Sequence, residues 1–304
     1  MPSRPSPRAS QTSVGALLDA AATEIAESKA IDHWQPQLAR WDADELMSVV
    51  LGEPVSRSLR RHEPSAAERR RFRAMVGRRV RGEPVARIKG YLDFSGMQLD
   101  VRDGVFVPRI SSELLADQAI RELRRRRGQR VAVDVATGSG PVALAVARDV
   151  PEAEVWGVDI SREAVRLCRH NARKLGIANA QFRVSDMLDS LPSRLRGAVD
   201  VFTIHPPYVS RGELRSLPRE IRDFEPHTTL TDGSDDGLEL VRALSAQAID
   251  WLRPGGSLLV EIGTYLSRQA QSTLRRAGLV EVGWTRDALG VTRVVAGRRA
   301  RSPR

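Results

Sequence analysis

One cysteine in 304 residues, Cys168, excludes an intramolecular disulfide and a cysteine zinc cluster. It sits inside a helical pattern, where a packed thiol is expected rather than a nucleophile or redox centre. Aromatic residues are scarce, at 5%, and no aromatic-rich RNA-binding motif occurs. No apolar run approaches the roughly 18 residues of a membrane span. The opening MPSRPSPRASQTS lacks the apolar centre of a secretion signal. A cytoplasmic location without membrane contact is therefore expected. Lysine is nearly missing and arginine carries the formal charge of +10. The arginines are spread over Arg60 and Arg61, Arg69 to Arg81, Arg121 to Arg130 and Arg298 to Arg304, several on the polar side of helical stretches. Scattered in this way they read as solvated faces, so nucleic acid is the less favoured partner.

What remains is ordinary globular material, 41% hydrophobic and long enough for a large and a small domain. Residues 1–13 are rich in Ser, Pro and Arg and are expected to be disordered. From 14 to 82 the pattern is helical. Asp42 with Glu45, and Ser65 with Glu68, are capping-box signals ahead of apolar helical runs, and Gly52 is a stop signal. Residues 83–108 alternate around Ser95-Gly96, which predicts a β-hairpin linker. A helix over about 112–126 then opens a domain spanning 109–298, followed by a basic tail at 299–304.

In that domain the pattern predicts strands at 131–135, 154–159, 180–184, 199–204 and 256–262, with a final antiparallel pair near 280–284 and 291–296. Helices are predicted at about 140–149, 161–175, 235–252 and 264–277. Such alternation means an α/β fold with a mainly parallel, doubly wound, Rossmann-like sheet. Ligands bind at the carboxyl ends of its strands.

Four strand ends carry chemistry. After the first, the loop of VAVDVATGSGPVALAVA brings Gly138 and Gly140 to a helix start with free N–H groups. It does not match G-x-G-x-x-G and has no Lys-Ser/Thr pair, so NAD and ATP both lose ground. After the second, Asp159 stands 21 residues beyond Gly138, where a carboxylate can accept bonds from ribose hydroxyls. After the third comes Asp186. After the fourth comes His205-Pro206-Pro207-Tyr208, whose two prolines end ladder pairing in a rigid turn.

This set resembles the class I S-adenosylmethionine methyltransferases. The order of a helical N-terminal part, GVFVPRISSELL, DVATGSG, HPPY, FEPHTTLTDGSDDGL, WLRPGGSLLVEIG and RDALGVTRVVAGR is similar to the HemK/PrmC-type family that methylates the N5 of a release-factor glutamine. The resemblance implies S-adenosyl-L-methionine as cofactor, with S-adenosyl-L-homocysteine as product. It places Phe106, Pro108 and Arg109 beside the cofactor. Thr137, Gly138, Ser139 and Gly140 would face its methionine part, Asp159 its ribose, Asp186 and Met187 its adenine, and Ile160 and His205 would border the cofactor. Pro206, Pro207, Tyr208 and Glu225 would face the substrate, and Glu261 would support the site from the end of the fifth strand. No metal is implied.

Two stretches depart from the family pattern. His205 stands where the family has asparagine, and Pro108 to Glu113 reads PRISSE in place of PRPETE. A neutral imidazole offers one donor and one acceptor and is suited to taking a proton. The expectation is accordingly a HemK-like scaffold repurposed for a small-molecule acceptor in specialised metabolism, with His205 as general base and Tyr208 beside it. The alternatives are release-factor glutamine N5-methylation, nucleic-acid N-methylation, and cofactor binding without transfer.

Overall fold

The computed structural model describes residues 12–32 and 37–301. The stretch expected to be disordered lies outside the described residues as far as residue 11, and the basic tail is described to Arg301. The chain divides into two compact units. One runs to Gly90 and includes Ser216–Phe224; the other comprises Tyr91–Arg215 and the chain from Glu225.

In the helical unit, Ser13 caps α1 (Val14–Ala26), its hydroxyl accepting from the Ala16 N–H at 3.3 Å. The helix α2 (Leu38–Leu51) begins a turn before Asp42, so the signal at Asp42 and Glu45 is not a helix start. Asp42 instead faces Arg79 Nε at 2.6 Å. Gly52 ends α2 at φ 78°, as the stop signal indicated. The second signal is a true capping box on α3 (Ala66–Val80): the Glu68 N–H donates to Ser65 Oγ at 3.2 Å and the Ser65 N–H to Glu68 Oε2 at 2.6 Å. A short α4 (Val85–Lys89) follows. Leu18, Ile25, Leu46, Met47, Phe72 and Val76 form this unit's core.

The second unit opens with the expected hairpin, β1 (Tyr91–Phe94) against β2 (Met97–Asp100). After α5 (Glu113–Arg124), strands and helices alternate: β3 (Arg130–Val135), α6 (Pro141–Asp149), β4 (Ala153–Asp159), α7 (Arg162–Lys174), β5 (Ala180–Val184) and β6 (Val199–Ile204). Next come α8 (Arg219–Arg222), which lies in the segment grouped with the helical unit, then α9 (Glu239–Trp251), β7 (Leu252–Glu261), α10 (Ser267–Arg276), β8 (Val280–Arg286) and β9 (Thr292–Arg298). The seven-stranded sheet runs β5-β4-β3-β6-β7-β9-β8, with β9 antiparallel to both neighbours. The helix α9 starts later than its pattern suggested because Asp232 accepts from Ser234 N–H at 2.9 Å and from Glu239 N–H at 2.7 Å, turning 232–238 into a cap.

Both faces of the sheet are covered, as a parallel sheet requires. Leu115, Leu123, Leu144, Val146 and Val165 fill one side, and Phe202, Val241, Leu244, Leu258 and Leu274 the other. The chain goes outward from β3 through β4 to β5, then returns to place β6 on the other side of β3. That reversal opens a crevice at the carboxyl ends of β3 and β6.

Candidate active site

A cavity of about 380 Å³ occupies the crevice, lined by residues that follow β3, β4, β5 and β6. This lies within the size range of small-molecule and cofactor sites. After β3 the backbone turns through Ala136 at φ 53°, Gly138 at φ 57° and Gly140 at φ 87°. Gly140 is the N-cap of α6, and a Cβ there would stand 3.2 Å from Cys168 Sγ and 3.3 Å from Leu144 Cδ1. Met187, after β5, also sits at positive φ, 42°. Ala136 and Met187 thus both place non-glycine backbone strain at the cavity wall.

The loop is tied from below by Asp134, whose carboxylate accepts from Thr137 Oγ1 at 2.6 Å and Thr203 Oγ1 at 2.7 Å. Burial pushes the Asp134 carboxyl up to about 6, against the two hydroxyl hydrogen bonds that favour the anion. Asp159 closes β4. Its Oδ2 accepts from the Gly138 N–H at 2.9 Å and its Oδ1 from the Ser161 N–H at 2.8 Å. Burial raises its carboxyl too, opposed by those backbone bonds. A carboxylate has about four acceptor sites, so both oxygens retain capacity toward a ligand. The buried Ser139 hydroxyl lacks a hydrogen-bond partner among the described residues, and Ile160 is 72% exposed at the cavity rim. An orphaned hydroxyl, free acceptor capacity and an apolar rim fit a cofactor with hydroxyl, amine and flat apolar parts.

Beyond β6 the imidazole of His205 is enclosed on several sides. Tyr208 stacks on it with centroids 5.8 Å apart and planes 18° apart, and Phe106 meets it edge-on, also at 5.8 Å. Its Nδ1 lies 3.2 Å from Ser112 Oγ and 3.5 Å from Glu261 Oε2. Burial lowers the His205 pKa and Arg109 lowers it further, while Glu261 opposes both. The neutral ring is therefore the resting form at neutral pH. Arg109 itself lies over the Phe106 ring at 4.6 Å and donates to Glu225 Oε1 at 3.0 Å.

The structure brings most of the sequence-predicted residues to this cavity: Phe106, Pro108, Arg109, Thr137 to Ser139, Asp159, Ile160, Asp186, Met187 and His205 to Pro207 all line it. Gly140, Tyr208 and Glu225 do not. Gly140 packs the loop on α6 and α7, Tyr208 backs His205, and the buried Glu225 accepts from the Val107 N–H at 3.2 Å. Asp134 and Asp232 line the cavity unannounced. Asp134 had a signal in the DVATG stretch, an acid inside an otherwise apolar strand; Asp232 had none apart from its capping chemistry. Cys168 is buried and donates to the Gly138 carbonyl at 3.0 Å, with burial raising its pKa far above the ordinary thiol range. It is the packed thiol that was expected.

Residues 33–90 match the family described as the PrmC N-terminal domain, and residues 128–272 match the one described as a methyltransferase domain. A release factor glutamine methyltransferase of Bradyrhizobium diazoefficiens is 34% identical over 96% of this chain and 98% of its own length. Proteins of the same name from Koribacter versatilis and Bordetella pertussis are each 35% identical, covering 79% and 86% of this chain and 83% and 96% of their own. These relatives are named for a protein acceptor and align along both units. The expectation of a small-molecule acceptor in specialised metabolism is thereby overturned. Its physical premise was also too narrow: with Nδ1 facing Ser112 and Glu261, the other ring nitrogen can accept a hydrogen bond from an amide as well as from a hydroxyl. No helix among the described residues is long and apolar enough to cross a membrane.

Proposed function

The chain belongs to the HemK/PrmC-type family of release factor glutamine methyltransferases and is a class I S-adenosylmethionine-dependent enzyme; from that premise we propose that it methylates the side-chain amide nitrogen of a glutamine in a peptide-chain release factor. The observation that carries the reading is the near-full-length match to a relative of that name, at 34% identity and including the N-terminal unit.

In this reading the Thr137–Gly140 loop receives the methionine part of the cofactor, Asp159 the ribose hydroxyls, and Asp186 with Met187 the adenine. When bound, the cofactor supplies an electrophilic methyl group on a sulfonium. The chain's own residues position the amide and remove its proton. The Pro206-Pro207 turn sets the place, Tyr208 backs His205, and His205 accepts the amide N–H. Arg109, held by Glu225, closes the neighbouring wall. The helical unit selects the protein acceptor, since every cofactor-facing residue lies beyond Gly104.

Mass analysis of intact release factor after incubation with methyl-labelled cofactor tests the proposal. One methyl group should appear, located to a glutamine by fragmentation, and a Gln→Ala release factor should take none. Absence of transfer to the release factor would overturn the reading.

A further inference from the structure

Glu261 ends β7 and is 3% exposed, yet its two oxygens are treated differently. Oε1 accepts from Ser111 Oγ at 2.7 Å. Oε2 is buried without a hydrogen bond and lies 3.5 Å from His205 Nδ1, slightly beyond hydrogen-bond reach. A buried carboxylate oxygen left in this state is costly unless a donor hydrogen is directed at it. His205 Nδ1, the ring nitrogen nearest to it, can supply that hydrogen. The opposite tautomer would set the Nδ1 lone pair against the Oε2 lone pairs. Ser112 Oγ, 3.2 Å from the same nitrogen, can accept as well as donate and so adapts to either state. His205 Nε2 makes no hydrogen bond or ion pair with the described residues, and the residue lines the cavity.

We infer that Glu261 is a positioning residue: itself held by Ser111, it keeps His205 as the Nδ1–H tautomer, so that Nε2 presents a lone pair to the N–H of the acceptor amide. Ser111, Ser112 and His205 are three of the four positions, with Ile110, at which this chain departs from its family's PRPETE and NPPY patterns. Ser111 and His205 both lie against Glu261, and Ser112 lies against His205.

The inference rests on the amide acceptor proposed above, and the step balances. The amide nitrogen forms the N–CH₃ bond while the S–CH₃ bond breaks with its electron pair going to sulfur. The nitrogen's surplus proton passes to His205 Nε2, giving an imidazolium whose positive charge replaces that of the sulfonium. Glu261 stabilises that imidazolium at the moment it forms, as a buried carboxylate does for a histidine base in hydrolases. The other charged or titratable groups facing the ring are Arg109, from the segment before α5, and Tyr208, from its own loop. Arg109 acts against the imidazolium, which leaves Glu261 as its counter-charge.

Nitrogen-15 NMR of histidine-labelled full-length protein, with His205→Asn to assign the signal, reads the tautomer without cofactor or acceptor. The wild type should show Nδ1–H. Glu261→Gln should shift the population toward Nε2–H and lower the titration midpoint of His205. With release factor as acceptor, Glu261→Gln should reduce kcat by about 10–10²-fold, a fraction of the general-base effect, with cofactor affinity unchanged. In a His205→Asn background the same change should lose most of that effect, because asparagine has no tautomer to set. An Nε2–H wild type, or an equal loss in both backgrounds, would overturn the inference and leave Glu261 as a structural carboxylate. Failure of the wild type to methylate release factor would instead overturn the acceptor reading, and the tautomer measurement would still decide the Glu261 contact.

Discussion

In the proposed reading, Asp159 and His205 act through hydrogen-bond capacity. Asp159 spends one bond from each oxygen on the Gly138 and Ser161 N–H groups and keeps the rest for a ligand. Charge-assisted bonds contribute about 1.5–3 kcal/mol each. Asp159→Ala should therefore weaken S-adenosylmethionine binding on the order of tenfold or more by calorimetry, and Asp159→Asn, which keeps one acceptor, should lose less. Unchanged binding in the alanine variant would remove Asp159 from the site. His205→Ala should lower the methyl-transfer rate by roughly 10²–10⁴-fold, the usual worth of a general base, with cofactor affinity little altered. Burial and Arg109 depress the His205 pKa, so its neutral, accepting form persists to lower pH than an ordinary imidazole allows. The rate should rise with pH below neutrality and flatten above it, and a rate falling over that range would refute the assignment. Their place at the cavity was legible because each strand end announces itself by an abrupt polar or proline residue after an apolar run. Glu261 was legible only as support. Its contact with Ser111 spans 150 positions, a pairing that local pattern cannot show.

Elements hold these groups in place through a few ties. Asp134 joins β3, β6 and the glycine loop through Thr137 and Thr203. Its folded pKa, about 6, lies above the ordinary value of 3.8, so between those values the folded protein binds more protons than the unfolded chain. Stability from this group is hence greatest at acid pH and falls as pH rises from about 4 to about 6, by an amount on the order of 2–3 kcal/mol. Asp134→Asn should lose that slope, so the stability of the variant relative to wild type should increase over this window in paired denaturation curves. A constant difference would mean the carboxyl is not raised. Gly237 makes a second tie: at φ 67°, a Cβ would come within 2.0 Å of the Tyr208 carbonyl oxygen. Gly237→Ala should displace the loop behind His205 and reduce turnover, while cofactor affinity stays near wild type. The sequence showed where strands and helices lie. It misplaced the start of α2 because an acid three residues before another acid mimics a capping box wherever it falls in a helix.

At the scale of the whole molecule, the chain leaves the methyltransferase unit after Arg215 and rejoins it at Glu225, and the intervening Ser216–Phe224 is grouped with the helical unit. Periodicity could not reveal this, since a nine-residue excursion carries no repeat of its own. Its anchor is Arg79, buried on α3, which meets Asp42 at 2.6 Å and Glu220 at 3.0 Å. The Asp42 carboxyl shows the cost: burial raises its pKa even though Arg79 pulls the other way. Removing the arginine leaves two mostly buried carboxylates facing each other without a counter-charge. Breaking a buried pair in this manner typically costs 3–5 kcal/mol, to be discounted here because Asp42 and Glu220 are 18% and 19% exposed. Arg79→Ala should thus destabilise the helical unit by about 2–4 kcal/mol, more at neutral than at acid pH, where the freed carboxylates can protonate. Isothermal titration should find S-adenosylmethionine binding close to wild type, because every residue lining the cavity belongs to the other unit. Release-factor methylation should fall, because the proposed acceptor-selecting unit has lost its order. Intact methylation in a variant with the helical unit demonstrably loosened would show that the methyltransferase unit recognises the acceptor without it.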